Sequence, residues 1–259
     1  MAANNDSIGR TITVTVLLCV VCSVIVSAAA VLLKPQQLIN KDLDRQSNIL
    51  AAAKIDYQGK DVRELFAEKI VTKYVDLKTG EYVEKPAGYK DAQRAAKEPS
   101  LSTALTKEQD IASIRRTANV MPVYLVNEAD QLDKVILPVH GYGLWSTLYG
   151  FLALESDLNT VVGFGFYSHA ETPGLGGEVD NPKWKALWPG KKIYAEGSME
   201  PKIGLVKTAV VPGAPGSEFK IDALSGATLT SNGVTKLVQF WMGKNGFANF
   251  LTNLKAGES

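Results

Sequence analysis

The chain has 259 residues, enough for one sizeable globular domain or two small ones. Its 28 Lys and Arg nearly balance 27 Asp and Glu, so no basic excess is left to attract nucleic acid. Two cysteines and two histidines exclude a disulfide framework, and also a metal site built mainly from thiolate and imidazole.

Taken in chain order, residues 1–10 read as a short tail. Thr11 to Leu33, "TITVTVLLCVVCSVIVSAAAVLL", carries no charge. As a helix this stretch spans the roughly 30 Å hydrocarbon core of a bilayer. Arg10 and Lys34 bracket it, and Pro35 predicts its end. A cleaved signal peptide is the competing reading, with Ala28-Ala29-Ala30 as the small-residue site. Its apolar core would be shorter, and here the run continues past those alanines. A retained single-pass anchor in contact with lipid is therefore expected. Flanking charge does not set its orientation, because Lys34, Lys41 and Arg45 on one side oppose Arg10 and the terminal amine on the other. Cys19 and Cys22 form a CxxC inside the apolar run, where thiols read as small packing residues.

From residue 34 to 259 the composition is that of a globular domain with an N-terminal extension, its core falling at about 117–250. Leu38, Ile39, Leu43, Ile49 and Leu50 outline a helical stripe. "VRELFAEKIVTKYVDLKTGEYV" mixes a helix with a strand that ends at Lys78-Thr79-Gly80. Residues 85–116 are charged and poor in aromatics, which predicts an exposed excursion, irregular or partly helical. Two apolar runs in "MPVYLVNEADQLDKVILPVHGYG" predict a hairpin, and Leu148–Leu154 with Val161–Tyr167 predict another. Gly163 and Gly165 suggest a bulge or close backbone approach. "KKIYAE", "IGLVKTAVV" and the run entering Asp222 supply further strand candidates. The expected class is α+β, a mostly antiparallel sheet flanked by helices, with one N-terminal transmembrane helix.

The helix pattern is clearest after residue 230. Val234, Leu237, Val238, Trp241 and Met242 recur at helical spacing, with Thr230 or Ser231 as N-cap and "GKNG" offering glycines for a left-handed C-cap. "FANFLTNL" predicts a short final element.

Three constellations can carry chemistry. "DALSGATLTSNGV", Asp222 to Val234, sets four hydroxyls around a Gly-Ala step between a strand and a helix. A helix N-terminus favours an anion, so phosphate binding and plain capping both fit; neither a Walker A nor a G-x-G-x-x-G pattern is present. "HAETPGLGGEV" from His169 is a glycine-rich turn in which His169 and Glu171 can form an acid/base pair, although no nucleophile accompanies them in sequence. "HGYGLWS" from His140 places Tyr142 and Trp145 among glycines, either to line a flat ligand or, more commonly, to pack in a core, with His140 structural. Two rival functions remain on these residues alone: a membrane-anchored binding or assembly module, and a hydrolase using Ser225 or Thr228 with His169. The hydrolase is weakened by the lack of a G-x-S-x-G elbow.

Asp222-Ala223-Leu224-Ser225-Gly226-Ala227-Thr228 resembles the D-x-x-[S/T]-G-A-T flavinylation motif of the bacterial FMN-binding domain family. "HAETPGLG" resembles the second signature of that family. The single span, the length and the extension ahead of the domain resemble the C-subunit family of Na+-translocating NADH:quinone reductases, across essentially the whole chain. The resemblance implies FMN held covalently, through a phosphoester to Thr228, and installed by a flavin transferase that uses FAD and magnesium. By the same resemblance Ser225, Gly226, Ala227 and Thr230 hold the phosphate, and Asp222 serves the transferase reaction or fixes the turn. Glu171, Thr172, Leu175 and Gly176, in the signature begun by His169, contact the flavin or its ribityl chain. Trp145 packs near the isoalloxazine, and Lys207 supplies a charge near the phosphate or ring. The implied function is electron transfer within a bacterial inner-membrane complex that oxidises NADH, reduces ubiquinone and exports sodium. Its other subunits are the implied partners and the soluble domain is periplasmic. The flavoprotein of the related ferredoxin-dependent ion-translocating complex is the alternative.

Overall fold

The computed structural model describes residues 7–129 and 131–257. Residues 1–6 of the expected tail, and Asp130 of the turn expected between the first two apolar runs, lie outside these. The chain divides into two compact units, up to Asp44 and from Arg45 onward. Helix α1 (Ile8–Ala52) makes up the first and lends its last residues to the second. Its apolar window has a mean hydropathy of 3.0 with none of it buried in protein; among the described residues it is the one helix long and apolar enough to cross a membrane. Pro35 does not end this helix but lies inside it. Losing one backbone donor costs about 3 kcal/mol in a helix interior. The run that follows, rich in Gln, Leu, Lys and Arg, has the propensity to continue it.

In the second unit, α2 (Val62–Lys69) starts on Asp61, whose carboxylate accepts the Arg63 and Glu64 amides. Strands β1 (Val71–Asp76) and β2 (Tyr82–Val83) pair across a turn with Gly80 at φ +78°. Residues 85–116 are irregular and partly helical, with α3 (Ala92–Ala95) and a small hairpin of β3 (Ser102–Ala104) and β4 (Arg116–Ala118). They are less exposed than composition suggests: Tyr89, Ala95 and Ala112 are buried in the main core. Those residues follow no helical or strand period, so no amphipathic pattern marks them.

The framework is an antiparallel meander of β5 (Val120–Glu128), β6 (Gln131–Tyr142), β7 (Thr147–Glu155) and β8 (Val161–Ser168). The six-stranded sheet runs β2-β1-β5-β6-β7-β8. It is covered on both faces, which is why its central strands read as nearly unbroken apolar runs. In β6, Val135, Leu137 and Val139 face one core, while Ile136 faces a second with Ile49, Leu50 and Leu65. Beyond β8, α4 (Pro182–Lys185) precedes a two-stranded sheet of β9 (Gly204–Val206) and β10 (Lys220–Asp222), which is parallel. "KKIYAE" is not a strand. The Asn159 side chain accepts the Ile193 and Tyr194 amides, taking the place of a neighbouring strand's carbonyls.

Helix α5 (Thr228–Met242) lays Val234, Leu237, Val238, Trp241 and Met242 on the main core, and α6 (Ala248–Ala256) follows. The Trp241 indole N–H donates to the His140 carbonyl at 2.6 Å, and the two rings lie 4.8 Å apart. Burial pushes the His140 imidazole down to about 4, so it stays neutral and structural at physiological pH. Gly243 leaves α5 in extended geometry, not left-handed; the left-handed cap is Gly257 at the end of α6.

Gly163 accounts for how the end of α1 meets the sheet: a Cβ there would stand 2.4 Å from the Ala52 carbonyl oxygen. Gly163→Ala is expected to cost about 1–3 kcal/mol, since backbone must move to admit the methyl. It should also speed tryptic cleavage at the adjacent Lys54. Denaturant unfolding of the detergent-solubilised chain and limited proteolysis measure both, and an unchanged midpoint would contradict the packing.

Candidate functional site

The site is built where the β6–β7 hairpin tip, the 169–177 loop and the start of α5 meet. The tip, Gly143 to Ser146, is closed by the Gly143 amide donating to the Ser146 carbonyl at 2.8 Å. Its amides turn inward onto one carboxylate. Trp145 N–H reaches Glu171 Oε1 at 3.0 Å, Leu144 at 3.1 Å and Ser146 at 3.3 Å. From the other side the Thr230 hydroxyl donates to Glu171 Oε2 at 2.7 Å. Glu171 is buried, and so is Thr230. Burial pushes the Glu171 carboxyl up, but the hydrogen bonds from Thr230, Trp145, Ser146 and Leu144 outweigh it and hold the group below the ordinary glutamate range.

Two glycines make this approach feasible. A Cβ on Gly143 would lie 2.6 Å from Glu171 Oε1, and one on Gly176 would lie 2.6 Å from the Thr230 hydroxyl and 2.7 Å from Glu171 Oε2. The loop is braced further by Ala170 N–H on the Ser146 hydroxyl and by Leu175 and Gly177 amides on the Thr172 carbonyl. His169 braces it as well. Its Nδ1 accepts the Glu171 amide at 3.2 Å, which leaves Nε2 as the protonated nitrogen facing Asp180 at 2.8 Å. Both ring nitrogens are thereby used within the loop. The His169–Glu171 side-chain pair and the hydrolase arrangement with Ser225 or Thr228 are not formed.

The start of α5 is the second part. Strand β10 ends at Asp222, and the chain turns through Gly226 at φ +72°. Ala227 is the N-cap position and makes no side-chain cap bond, so neither Thr230 nor Ser231 caps this helix. Thr230 points down to Glu171. Ser231 accepts the Leu224 amide and donates to the Ala227 carbonyl. Thr228 is the first helical residue and is exposed, as is Ser225, while Ala227 is buried. An uncapped helix start leaves its first amides without intrahelical partners, at the positive end of the helix dipole.

Thr228, Ser225 and Gly226 line one cleft of about 310 Å³ together with Lys207 and Asn232. Asn232 escaped the sequence reading. Its signal is the spacing of four from Thr228, which puts both on one helix face. Leu175 closes the Gly226 side, its Cδ2 standing 3.1 Å from where a Gly226 Cβ would lie. Leu175, Leu229 and Trp145 are exposed at 45%, 59% and 64%. Trp145 and Tyr142 are thus surface aromatics, not core ones, because the hairpin tip spends its backbone, not its side chains, on the interior. Asp222 lies outside the cleft and holds the Val210 amide at 2.7 Å. Among the described residues no cluster of His, Cys, Asp and Glu could hold a metal ion.

Comparison with known proteins places this region in context. A family model for the FMN-binding domain matches residues 143–243, from the hairpin tip to the end of α5. The C subunit of the Na(+)-translocating NADH-quinone reductase of Pseudomonas aeruginosa is 53% identical over 263 residues, covering 99% of this chain and 100% of the relative. The protein of the same name from Vibrio alginolyticus is 52% identical over 259 residues, covering 100% and 99%. A crystal structure of NqrC from Shewanella oneidensis superposes with a TM-score of 0.77 at 37% identity, covering 84% of this chain and 99% of that one.

The Glu171 carboxylate has a folded value below its unfolded one. Its stabilisation is therefore complete above the ordinary glutamate value of 4.5 and is lost as pH falls through the folded value. The melting temperature of the parent chain should drop more steeply on acidification below pH 4.5 than that of Glu171→Gln, which carries no charge to lose. At neutral pH Glu171→Gln should cost about 1–3 kcal/mol, since one amide nitrogen replaces an acceptor oxygen. Parallel pH profiles would contradict the assignment.

Proposed function

The chain belongs to the C-subunit family of Na(+)-translocating NADH-quinone reductases, and from that membership and the geometry of the Thr228 turn we propose that it is the covalently flavinylated electron carrier of such a complex. The observation that carries the reading is Thr228 itself: an exposed hydroxyl on the first residue of an uncapped helix, in a cleft with Lys207.

The residues present fit a phosphoester there. The first-turn amides and the helix dipole favour the single negative charge of a phosphodiester. Lys207 adds a cation, and Ser225 and Asn232 add short polar groups. Gly226, without a side chain, keeps the approach open. Attachment would join Thr228 Oγ to the flavin-side phosphorus of FAD as the pyrophosphate P–O bond breaks, with AMP as the leaving group and the hydroxyl proton passing to a base of the magnesium-dependent transferase. The bound flavin supplies one-electron redox chemistry, with its position and potential set by the protein.

The chain's own residues hold that group without enclosing it. The cleft has room for a phosphate and a polyol chain, and Leu175 offers exposed apolar surface beside Gly226. An open site favours electron exchange with partner subunits, and it explains a covalent link: an exposed, weakly held flavin would be lost by dilution. In this reading α1 anchors the chain as a single pass in the bacterial inner membrane, the domain from Arg45 lies on the periplasmic side, and other subunits supply NADH oxidation and ubiquinone reduction coupled to sodium export.

The test is mass spectrometry of the tryptic peptide Ile221–Lys236 from chain co-produced with a flavin transferase. The expected peptide carries FMN less one water on Thr228, and neither the addition nor yellow colour survives in Thr228→Ala. An unmodified peptide from colourless protein would leave the turn as a bare helix start and overturn the carrier reading.

A further inference from the structure

We infer that Asp222 is a positioning residue, whose carboxylate closes the turn carrying Lys207 onto the Thr228 cleft, and that flavin attachment depends on this hydrogen bond and not on a charge offered to the transferase. The inference rests on Thr228 being the attachment residue.

Asp222 begins the motif and invites a chemical role, as a base for the Thr228 proton or a ligand to the transferase's magnesium. Its surroundings argue otherwise. It is the last residue of β10, in parallel register with Val206 of β9. Its carbonyl accepts the Trp184 indole N–H at 3.0 Å, and the next amide, of Ala223, donates to the Val206 carbonyl at 2.9 Å. The backbone at 222–223 is therefore fixed from two sides. Its side chain then reaches past the end of β9 to accept the Val210 amide at 2.7 Å, a short bond of the kind an ionised acceptor makes. The carboxylate does not line the cleft in which Thr228 sits, whereas Lys207 does.

The consequence is a turn pinned at both ends by one two-residue segment. Val206 is held by Ala223 and Val210 by Asp222, and the residues between them begin with Lys207. Beyond Val210 the chain runs through "VPGAPG", with Val211 66% exposed and Gly213 and Gly216 at positive φ. Most of that side of the turn, residues 207–209 and 211–213, is exposed. Removing the Asp222 carboxylate would release Val210 and, with it, the fixed placement of Lys207 beside Ser225, Gly226 and Thr228.

Asparagine separates the two roles. Its carbonyl oxygen can accept the Val210 amide, but it neither takes a proton nor carries the charge that binds magnesium. The full-length chain, D222N, D222A and V210P would each be co-produced with the transferase. The flavinylated fraction would be followed by intact mass over time, and hydrogen exchange of the 207–216 segment measured on each chain made without the transferase. D222N should be modified within about twofold of the parent, with parental protection at Val210. D222A should be modified at least about tenfold more slowly, and its Val210 amide should exchange at least about tenfold faster, the loss of a hydrogen bond to a charged acceptor. V210P removes the donor and leaves the carboxylate intact; it should be modified as slowly as D222A, and it carries the test if D222A fails to fold. The inference is overturned if D222N is unmodified while its segment stays protected, or if D222A or V210P is modified at the parental rate. If the parent takes up no flavin, the attachment reading itself fails and this inference falls with it; if the parent is modified and D222N, its segment still protected, is not, only this inference fails.

Discussion

The Glu171 carboxylate is the constraint on which the site depends. One buried anion collects the amides of the β6–β7 tip and the hydroxyl of Thr230, and so ties a hairpin, a glycine-rich loop and a helix start to one point. A buried charge is tolerated only when its lone pairs are used. Here four donors use them, and the group remains ionised despite its burial. The geometry admits no Cβ at positions 143 and 176, which explains glycine on both sides of the carboxylate.

With its underside fixed in this way, the first turn of α5 can face two environments. Thr230 and Ser231 turn inward, to Glu171 and to the Leu224 and Ala227 backbone. Thr228 and Asn232, four apart, face the cleft. The four hydroxyls around the Gly-Ala step therefore have separate tasks. Two hold the turn in place, and Ser225 and Thr228 are left exposed beside unsatisfied helix amides. A hydroxyl cap would have satisfied those amides; its absence leaves the helix end free for an anion.

Two residues of the site with exposed apolar side chains spend only their backbone on the interior. Trp145 spends its amide on Glu171 and leaves its indole in solvent. Leu175 likewise uses its amide on Thr172 and exposes its side chain beside Gly226. Such an arrangement suits a flat cofactor that must be held at one end and reached at the other, as the proposed carrier requires.

Much of this was legible in the sequence. The uncharged run marked α1 as a helix long and apolar enough to cross a membrane, because length and composition alone decide that. The apolar runs of β5–β8 marked the meander, and the spacing from Val234 to Met242 marked α5, because periodicity records which face is buried. The D-x-x-S-G-A-T and H-A-E-T-P-G-L-G stretches pointed to the candidate site, and both fall within the residues matched by the FMN-binding domain. Tertiary structure alone decided how each site residue is used. The replacement of a strand by the Asn159 side chain and the burial of Tyr89 and Ala112 turn on partners distant in sequence. So does the division between Glu171, which faces inward, and Thr228, which faces out. Residues 171 and 230 stand far apart along the chain, and no local pattern states that a carboxylate at one will meet a hydroxyl at the other. Sequence determines which groups exist and which face of an element is apolar; only the packing of elements determines which polar groups lose water and must find each other.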